Sequence, residues 1–219
     1  MNENWPEAYK KGVQNFYGRD FLVSPAVLIP RPETEMMVDE VLALAGKAYL
    51  PGIKTPERKL SENPVILDVG TGSGCVATTI KLEIPEAKVI GLDVSTETLK
   101  VARQNAEKLG ADVEFIRSDL LSNYKGENPD VVVANLPYVD ESWEWLDKKA
   151  LSVEPESALY AKNHGLELIF KLIEQAKDKC KWMILEADPC QHEQIIDFAK
   201  SFGFSHEKTS GFQLVFYKN

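Results

Sequence analysis

Short apolar runs alternate with amphipathic segments from residue 65 to the end of the chain. The apolar runs are rich in β-branched and aliphatic residues and predict strands at 65–69, 88–93, 113–116, 130–135 and 182–186. Apolar positions at helical spacing predict helices at 75–82, 96–109, 166–176 and 191–202. The tail, 205–217, predicts a hairpin around Ser210 and Gly211. This alternation predicts an α/β fold, a doubly wound and mostly parallel sheet with a C-terminal antiparallel hairpin.

The chain before residue 65 follows a different pattern. Residues 33–44 place Met37, Val41 and Leu44 at helical spacing, and Thr34 precedes them as a possible N-cap. Residues 51–64 contain three prolines and a glycine among polar residues, which is typical of a linker. We therefore expect an N-terminal extension with a packed helix (1–50), a linker (51–64) and the main domain (65–219).

Composition excludes several classes of protein. The 219 residues are 44% hydrophobic, and 25 Lys and Arg against 34 Asp and Glu give a net charge of −9. No apolar run reaches the roughly 20 residues that a membrane helix needs, and the N-terminus lacks the apolar core of a secretory signal. The acidic balance disfavours a large nucleic-acid interface. Three scattered cysteines and three separate histidines predict neither disulfides nor a metal site, and favour the cytoplasm.

A glycine-rich loop joins the first predicted strand of the main domain to its helix. Glycines at this position permit a tight turn and let the backbone approach a ligand closely. The spacing lacks the residue that the dinucleotide fingerprint requires, and no Lys-Ser/Thr pair follows as in a Walker loop. A nucleotide-like ligand without a pyrophosphate therefore fits this loop best. Its candidate cofactor-binding residues are Asp68, Gly70, Thr71, Gly72, Ser73 and Gly74.

Acidic residues end three successive predicted strands. They are Asp68, Asp93 and Asp119, and the carboxyl ends of parallel strands meet at one edge of a sheet. Asp93 lies where an acid can bind ribose hydroxyls. Negative charge around such a pocket suits a cationic ligand that carries a ribose and an adenine, and S-adenosylmethionine (AdoMet) is such a ligand. The alternative is a plain strand-to-helix turn with solvated acids.

The fourth predicted strand ends in the sequence Asn135-Leu136-Pro137-Tyr138. Proline fixes its own φ and stiffens the loop. The Asn135 side-chain oxygen and the Leu136 backbone carbonyl are two acceptors that can hold both hydrogens of one planar NH2 group. Tyr138 can pack on that group. A simple loop with an asparagine turn residue is the alternative.

These motifs together resemble a class I AdoMet-dependent methyltransferase, which has a seven-stranded sheet. The Asn-x-Pro-Tyr loop is similar to those of enzymes that methylate adenine N6 or protein glutamine. The segments at 16–18 and 27–35, with Ile29-Pro30-Arg31-Pro32-Glu33, resemble the HemK/PrmC family, and Glu154-Pro155, Glu186 and Gln191 also match it. That family methylates the glutamine side-chain amide in the Gly-Gly-Gln loop of peptide chain release factors.

The resemblance implies a role for each matching residue. Catalytic and substrate-binding roles fall on Asn135, Leu136, Pro137 and Tyr138, with Arg31 and Glu33 shaping the substrate pocket. The six residues of the glycine loop, Asp93, Asp119, Leu120 and Asn135 would bind AdoMet, leaving S-adenosylhomocysteine as product. A release factor would be the protein partner, with no stable nucleic acid and no membrane. A salt-bridged helix start is the alternative for Arg31 and Glu33.

The chain also departs from the family pattern. Leu136 replaces a proline, which keeps the carbonyl acceptor but removes some stiffness, and Leu120 stands where a tryptophan often covers the adenine. Asp188 and Leu214 replace a usual glycine and arginine, and the family's N-terminal helical domain is expected to be missing. Two other functions stay open at this point. One is N6-adenine methylation of RNA or DNA, and the other is non-catalytic AdoMet binding.

Overall fold

A computed structural model describes residues 5–47, 59–147 and 151–218. Its helices and strands have the following bounds. The strands are β1 Val13–Phe16, β2 Arg19–Leu22, β3 Val65–Val69, β4 Lys88–Asp93, β5 Glu114–Arg117, β6 Val131–Ala134, β7 Trp182–Glu186, β8 Ser205–Ser210 and β9 Gln213–Tyr217. The α-helices are Glu7–Lys11, Glu35–Leu44, Cys75–Glu83, Thr96–Leu109, Glu156–Leu159, Glu167–Ala176 and His192–Ser201.

Seven strands form one sheet in the order β5-β4-β3-β6-β7-β9-β8. The strands from β5 to β7 are parallel, whereas β9 pairs antiparallel with both β7 and β8. This confirms the predicted doubly wound sheet and its C-terminal hairpin. β3 lies between β4 and β6, so the chain runs first to one side of β3 and later to the other. In such sheets ligands bind in the crevice at the carboxyl ends of the strands beside this reversal.

Both faces of the sheet are buried. Ile66, Val131 and Val133 belong to the apolar cluster on one face, and Leu67 and Val132 to the cluster on the other. Successive side chains of a strand point to opposite faces, so a strand covered on both sides is apolar throughout. All five residues of β3 and all four of β6 are buried, and their carboxyl ends are therefore held rigidly.

An N-terminal hairpin of β1 and β2 was not predicted, because these strands are short and of mixed polarity. One buried side chain ties this hairpin to the main domain. Asn105 accepts a hydrogen bond from Leu22 N at 2.6 Å and donates to Leu22 O at 3.0 Å. It also donates to Ser73 O in the glycine loop at 2.9 Å. A single asparagine therefore positions both the hairpin and the loop.

The helix Glu35–Leu44 follows a 3-10 turn, Pro32–Thr34, and packs into the core through Met37 and Val41. Thr34 precedes this helix as expected, but its side chain does not cap it. The prediction of a side-chain cap was wrong, because the Thr34 hydroxyl makes hydrogen bonds in the candidate site instead.

The predicted linker, 51–64, lies outside the described residues up to position 58, and the division at 1–50, 51–64 and 65–219 stays a prediction. In the described part of the linker, Leu60 N donates to Leu44 O at 3.0 Å. None of the helices among the described residues combines the length and the apolar composition that spanning a bilayer requires. The same residues contain no cluster of metal-ligating side chains.

We predict that Asn105→Ala destabilises the protein by about 2–4 kcal/mol, because it leaves one buried and two partly buried backbone groups without this partner. Urea unfolding followed by circular dichroism measures this change. Gln104→Ala is the matched control, since Gln104 is exposed on the same helix. An equal effect of the two substitutions would show that Asn105 does not anchor the hairpin.

Candidate active site

A cavity of about 670 Å³ opens at the carboxyl ends of the parallel strands. Its volume is in the range of sites for small molecules and cofactors. Most of the residues expected from the sequence line it, whereas Gly74, Tyr138 and Glu33 do not. The predicted residues in its wall are Arg31, Asp68, Gly70, Thr71, Gly72, Ser73, Asp93, Asp119, Leu120, Asn135, Leu136 and Pro137.

The glycine loop turns sharply between β3 and its helix. Gly70, Gly72 and Gly74 have φ values of 75°, 57° and 77°, a conformation that side chains disfavour. Gly70 N and Thr71 N both donate to Leu92 O, at 2.8 and 2.9 Å, which fastens the loop to β4. Gly74 lies behind the cavity wall, where an added Cβ would come within 3.0 Å of Ala102 Cβ. Because Gly74 has no side chain, the loop can approach the helix Thr96–Leu109 closely.

Asp68 is buried at the base of the loop, with 2% of its surface exposed. Its Oδ2 accepts hydrogen bonds from Thr71 Oγ1 at 2.7 Å and from Ala77 N at 3.1 Å. Burial nevertheless raises the pKa of Asp68 from 3.8 to about 6. A cation in the cavity would favour the ionised form of this carboxyl.

Asp93 holds the other side of the loop at the end of β4. Its carboxylate accepts hydrogen bonds from Gly72 N at 3.1 Å and from Ser95 N at 2.9 Å. Burial raises the pKa of Asp93 above its usual value. Each carboxylate oxygen keeps acceptor capacity for a ligand hydroxyl.

Asp119 and Leu120 follow β5 at the rim of the cavity. The Asp119 carboxylate is about half exposed and forms an ion pair with Lys171 at 2.6 Å. Leu120 is buried and forms part of the apolar cavity wall. Its φ of 51° lies in the left-handed region. The sequence did not reveal Lys171 as a partner, because it lies on a distant helix.

A second, smaller cavity of about 230 Å³ lies beside the first. The two cavities share five residues in their walls. These are Leu28, Arg31, Asn135, Leu136 and Ala158. The stacked rings of Trp143 and Trp145, with centroids 5.1 Å apart, also line the second cavity, together with Tyr138 and Glu186. Asn135 and Leu136 therefore stand where two separate ligands would meet.

Asn135 is held by two side chains from distant parts of the chain. Its Nδ2 donates to Thr34 Oγ1 at 3.0 Å and to Glu186 Oε1 at 2.8 Å. Within the described part of the chain, no group donates a hydrogen bond to Asn135 Oδ1 or to the Leu136 carbonyl oxygen. Both acceptors that the sequence predicted thus remain available for a ligand.

Leu136 is buried and packs directly on the glycine loop. A Cβ at Gly70 would lie only 2.9 Å from Leu136 Cδ2. The leucine side chain therefore links the loops after β3 and β6 by packing, and this contact opposes the loss of stiffness expected when a proline is replaced. The Tyr138 carbonyl accepts from Gln191 Nε2 at 2.8 Å, which fixes the end of the loop.

Comparison with known proteins supports this reading of the geometry. A family model described as a methyltransferase domain matches residues 60–203. A release factor glutamine methyltransferase of Koribacter versatilis is 42% identical over 203 residues, which are 88% of this chain and 68% of the relative. A release factor glutamine methyltransferase of Neisseria gonorrhoeae is also 42% identical, over 80% of this chain and 59% of the relative.

The chain belongs to the release factor glutamine methyltransferase family. Membership confirms the resemblance drawn from the sequence motifs, and these relatives do not favour the N6-adenine alternative. The chain spans only about 53–68% of the length of the first curated relatives that it matches. A solved methyltransferase from Pyrococcus furiosus superposes with a TM-score of 0.64 at 19% identity, covering 93% of this chain and 90% of that one. At such low identity the likeness shows the fold alone.

The candidate site also contains an ion pair that the sequence did not predict. Arg31 contacts Glu154, whose other carboxylate oxygen accepts from Ile29 N at 3.0 Å. Glu33, the other predicted pocket residue on this segment, has an exposed side chain outside both cavity walls. The structure therefore brings Arg31 to the site and leaves Glu33 outside it, and the buried Glu154 holds Arg31.

Sequence reasoning noted Glu154, Glu186 and Gln191 as family matches and assigned them no role. Each is buried and reaches the site through hydrogen bonds to segments that are remote in the chain. Their only signal in the sequence was the match to the family pattern. The roles proposed for the site residues stay predictions.

The pKa of Asp68 predicts a dependence of stability on pH. A carboxyl whose pKa is higher in the folded state stabilises the protein at low pH, and this contribution is lost as the pH rises through the folded value. Because of Asp68, the free energy of unfolding should decrease by at most about 3 kcal/mol between pH 4 and pH 7. We predict that Asp68→Asn is therefore less unfavourable, relative to wild type, at pH 7.5 than at pH 4.5.

Urea unfolding at the two pH values measures this difference. The control is Asp112→Asn, because Asp112 is exposed and lies outside both cavity walls. Its effect on stability should be small, within about 0.5 kcal/mol. A pH-independent effect of Asp68→Asn would contradict the assignment.

Proposed function

We propose that this chain transfers a methyl group from AdoMet to the side-chain amide nitrogen of the glutamine in the Gly-Gly-Gln loop of a peptide chain release factor. The observation that carries the proposal is the meeting of two cavities at Asn135 and Leu136. The larger cavity has the buried acids and glycine loop that suit a cationic nucleoside, and the smaller one is lined by aromatic side chains. The names of the relatives supply the substrate class.

The larger cavity fits AdoMet by its chemistry. The Asp93 carboxylate would hold the ribose, the glycine loop would let the ligand approach its backbone closely, and Leu120 would contact the adenine. Asp68 and Asp119 add negative charge near a ligand that carries a sulfonium and an amino group. The bound cofactor supplies an electrophilic methyl group, and the protein supplies binding and orientation.

Asn135 and Leu136 would orient the substrate amide. An amide nitrogen is a poor nucleophile because its lone pair is delocalised over the carbonyl group. Hydrogen bonds from its NH2 to Asn135 Oδ1 and to the Leu136 carbonyl would fix its direction and stabilise the positive charge that develops on it. The nitrogen loses its proton after alkylation, so the site requires no strong general base. Tyr138 and Arg31 would bound the pocket on the substrate side.

A release factor would be a transient protein partner, and we expect no stable nucleic-acid complex. The described cysteines are free thiols, and a release factor works with ribosomes, so we place the reaction in the cytoplasm.

Mass spectrometry of a release factor incubated with this protein and AdoMet tests the proposal. We expect one methyl group on the glutamine of the Gly-Gly-Gln loop and none on a release factor whose glutamine is replaced by alanine. Tritium-labelled AdoMet with RNA and DNA, in parallel reactions, tests the other acceptor class. Label in nucleic acid and none in the release factor would overturn the proposal.

We predict that Asn135→Ala lowers kcat by roughly 100-fold or more, because one of two acceptors for the substrate amide is lost. Calorimetry should show that AdoMet affinity changes by only a few-fold, since the glycine loop and Asp93 remain. Asn123→Ala is the matched control, because Asn123 is exposed and lies outside both cavity walls. Unchanged methyl transfer by Asn135→Ala would show that this mechanism is wrong.

A further inference from the structure

Glu186 is a buried acid that the proposed chemistry does not use. It ends β7 and has 2% of its surface exposed. Its Oε1 accepts from Asn135 Nδ2 at 2.8 Å and from Tyr138 OH at 3.4 Å, and its Oε2 accepts from Gln213 Nε2 at 2.8 Å. The Thr34 hydroxyl lies near this carboxyl and lowers its pKa. Three donors from two segments, the loop after β6 and strand β9, therefore converge on one carboxylate.

This arrangement determines which way the Asn135 amide faces. One hydrogen of its NH2 group has Glu186 Oε1 as partner, and the other has Thr34 Oγ1 at 3.0 Å. Thr34 Oγ1 accepts this second bond through a lone pair. Both amide hydrogens are then turned away from the cavity, and Oδ1 faces it.

The reversed amide would be strongly disfavoured. It would place Asn135 Oδ1 against Glu186 Oε1, and a carboxylate oxygen has no proton to donate. A hydrogen bond to a charged acceptor is stronger than one between neutral groups, and the reversal loses such a bond and adds repulsion between two oxygens. Gln213 cannot turn to compensate without losing its other bond, to Glu33 O at 3.1 Å.

We propose that Glu186 is a positioning residue that holds Asn135 with only acceptor oxygens facing the substrate, so that the site accepts a glutamine amide and rejects the isosteric glutamate carboxylate. The proposal rests on the function proposed above for the same site. A glutamine amide offers two hydrogens to Asn135 Oδ1 and the Leu136 carbonyl. A glutamate carboxylate offers none and would face two oxygens.

The charge state of Glu186 makes this device sensitive to pH. Burial raises the pKa of Glu186 to about 7, and the negative charge of Glu33 acts in the same direction. Asp188, Tyr138 and Arg31 line the second cavity beside it. As a carboxylate, Glu186 only accepts hydrogen bonds. Protonation gives it a hydrogen of its own, and one of these hydrogen bonds must then break. Activity should therefore fall as the pH decreases through about 7.

Two substitutions at Glu186 test the proposal in the full chain with a release factor as substrate. Glu186→Leu removes the acceptors, and we expect kcat to fall about 100-fold with AdoMet affinity changed by only a few-fold. Glu186→Gln keeps one neutral acceptor, and we expect a smaller fall of about 5- to 10-fold. Neither Glu186 variant should show the loss of activity below pH 7 that we expect of the wild type. Glu193→Gln, on an exposed helical position, is the control and should keep the wild-type pH profile.

Substrate discrimination is the readout that a merely structural role would not change. A release factor with glutamate in place of the Gly-Gly-Gln glutamine should inhibit wild-type enzyme weakly. It should inhibit Glu186→Gln more strongly, because Asn135 can then turn its NH2 toward the carboxylate. The same inhibition constant in both enzymes, or the same acidic limb in Glu186→Gln and wild type, would overturn the proposal.

Substitutions at Thr34 keep the test valid if the Glu186 variants do not fold. Thr34→Val removes the acceptor for the second Asn135 hydrogen, and we expect kcat to fall about 10-fold. Thr34→Ser keeps the hydroxyl and should restore kcat to within about twofold of wild type. Equal activity of the two variants would contradict the assigned hydrogen bond.

A measurement on the free protein separates this proposal from the proposed function. The side-chain ¹⁵NH2 resonance of Asn135, assigned by its loss in Asn135→Ala, should shift between pH 6 and pH 8 in wild type and not in Glu186→Gln. If no release factor is methylated, the proposed function fails while this shift still reports the contact. A resonance that does not respond to pH in wild type would overturn the positioning role by itself.

Discussion

The position of β3 between β4 and β6 is the constraint on which the rest of the molecule depends. Because the chain crosses from β3 to one side and later returns on the other, the loops after β3 and β6 stand together at one edge. The contact between Gly70 and Leu136 is the direct consequence. A glycine loop for a nucleoside and an asparagine loop for an amide become walls of adjoining cavities in this way.

Buried polar side chains then set the fine geometry of that edge. Asn105 joins the hairpin and the glycine loop, Glu154 holds Arg31, and Glu186 holds Asn135. Burying such groups is unfavourable unless each finds a partner, so each contact specifies one arrangement of its loops. Precision in the site therefore comes from hydrogen bonds between segments, while stability of the sheet comes from apolar packing on both faces.

Position 136, where leucine replaces the proline usual in the family, shows how apolar packing also contributes to the geometry of the site. Proline stiffens a loop by restricting its own backbone, whereas Leu136 is fixed by burial against Gly70. The backbone carbonyl, which is the chemically important atom in the proposed mechanism, is presented in either case. The Thr34 side chain also contributes to the site. It does not cap its own helix and instead accepts a hydrogen bond from Asn135.

The sequence by itself determined the alternation of strands and helices, the loops at the carboxyl ends of the strands, and the family. These features arise from local periodicity and from glycine, proline and asparagine at fixed spacing, and such signals need no distant partner. It did not reveal the β1–β2 hairpin, the Lys171 partner of Asp119, or the separation of Arg31 from Glu33. Only the tertiary structure decided which way the Asn135 amide faces. Its partners Thr34 and Glu186 lie 101 and 51 residues away in the chain, so only folding brings them together.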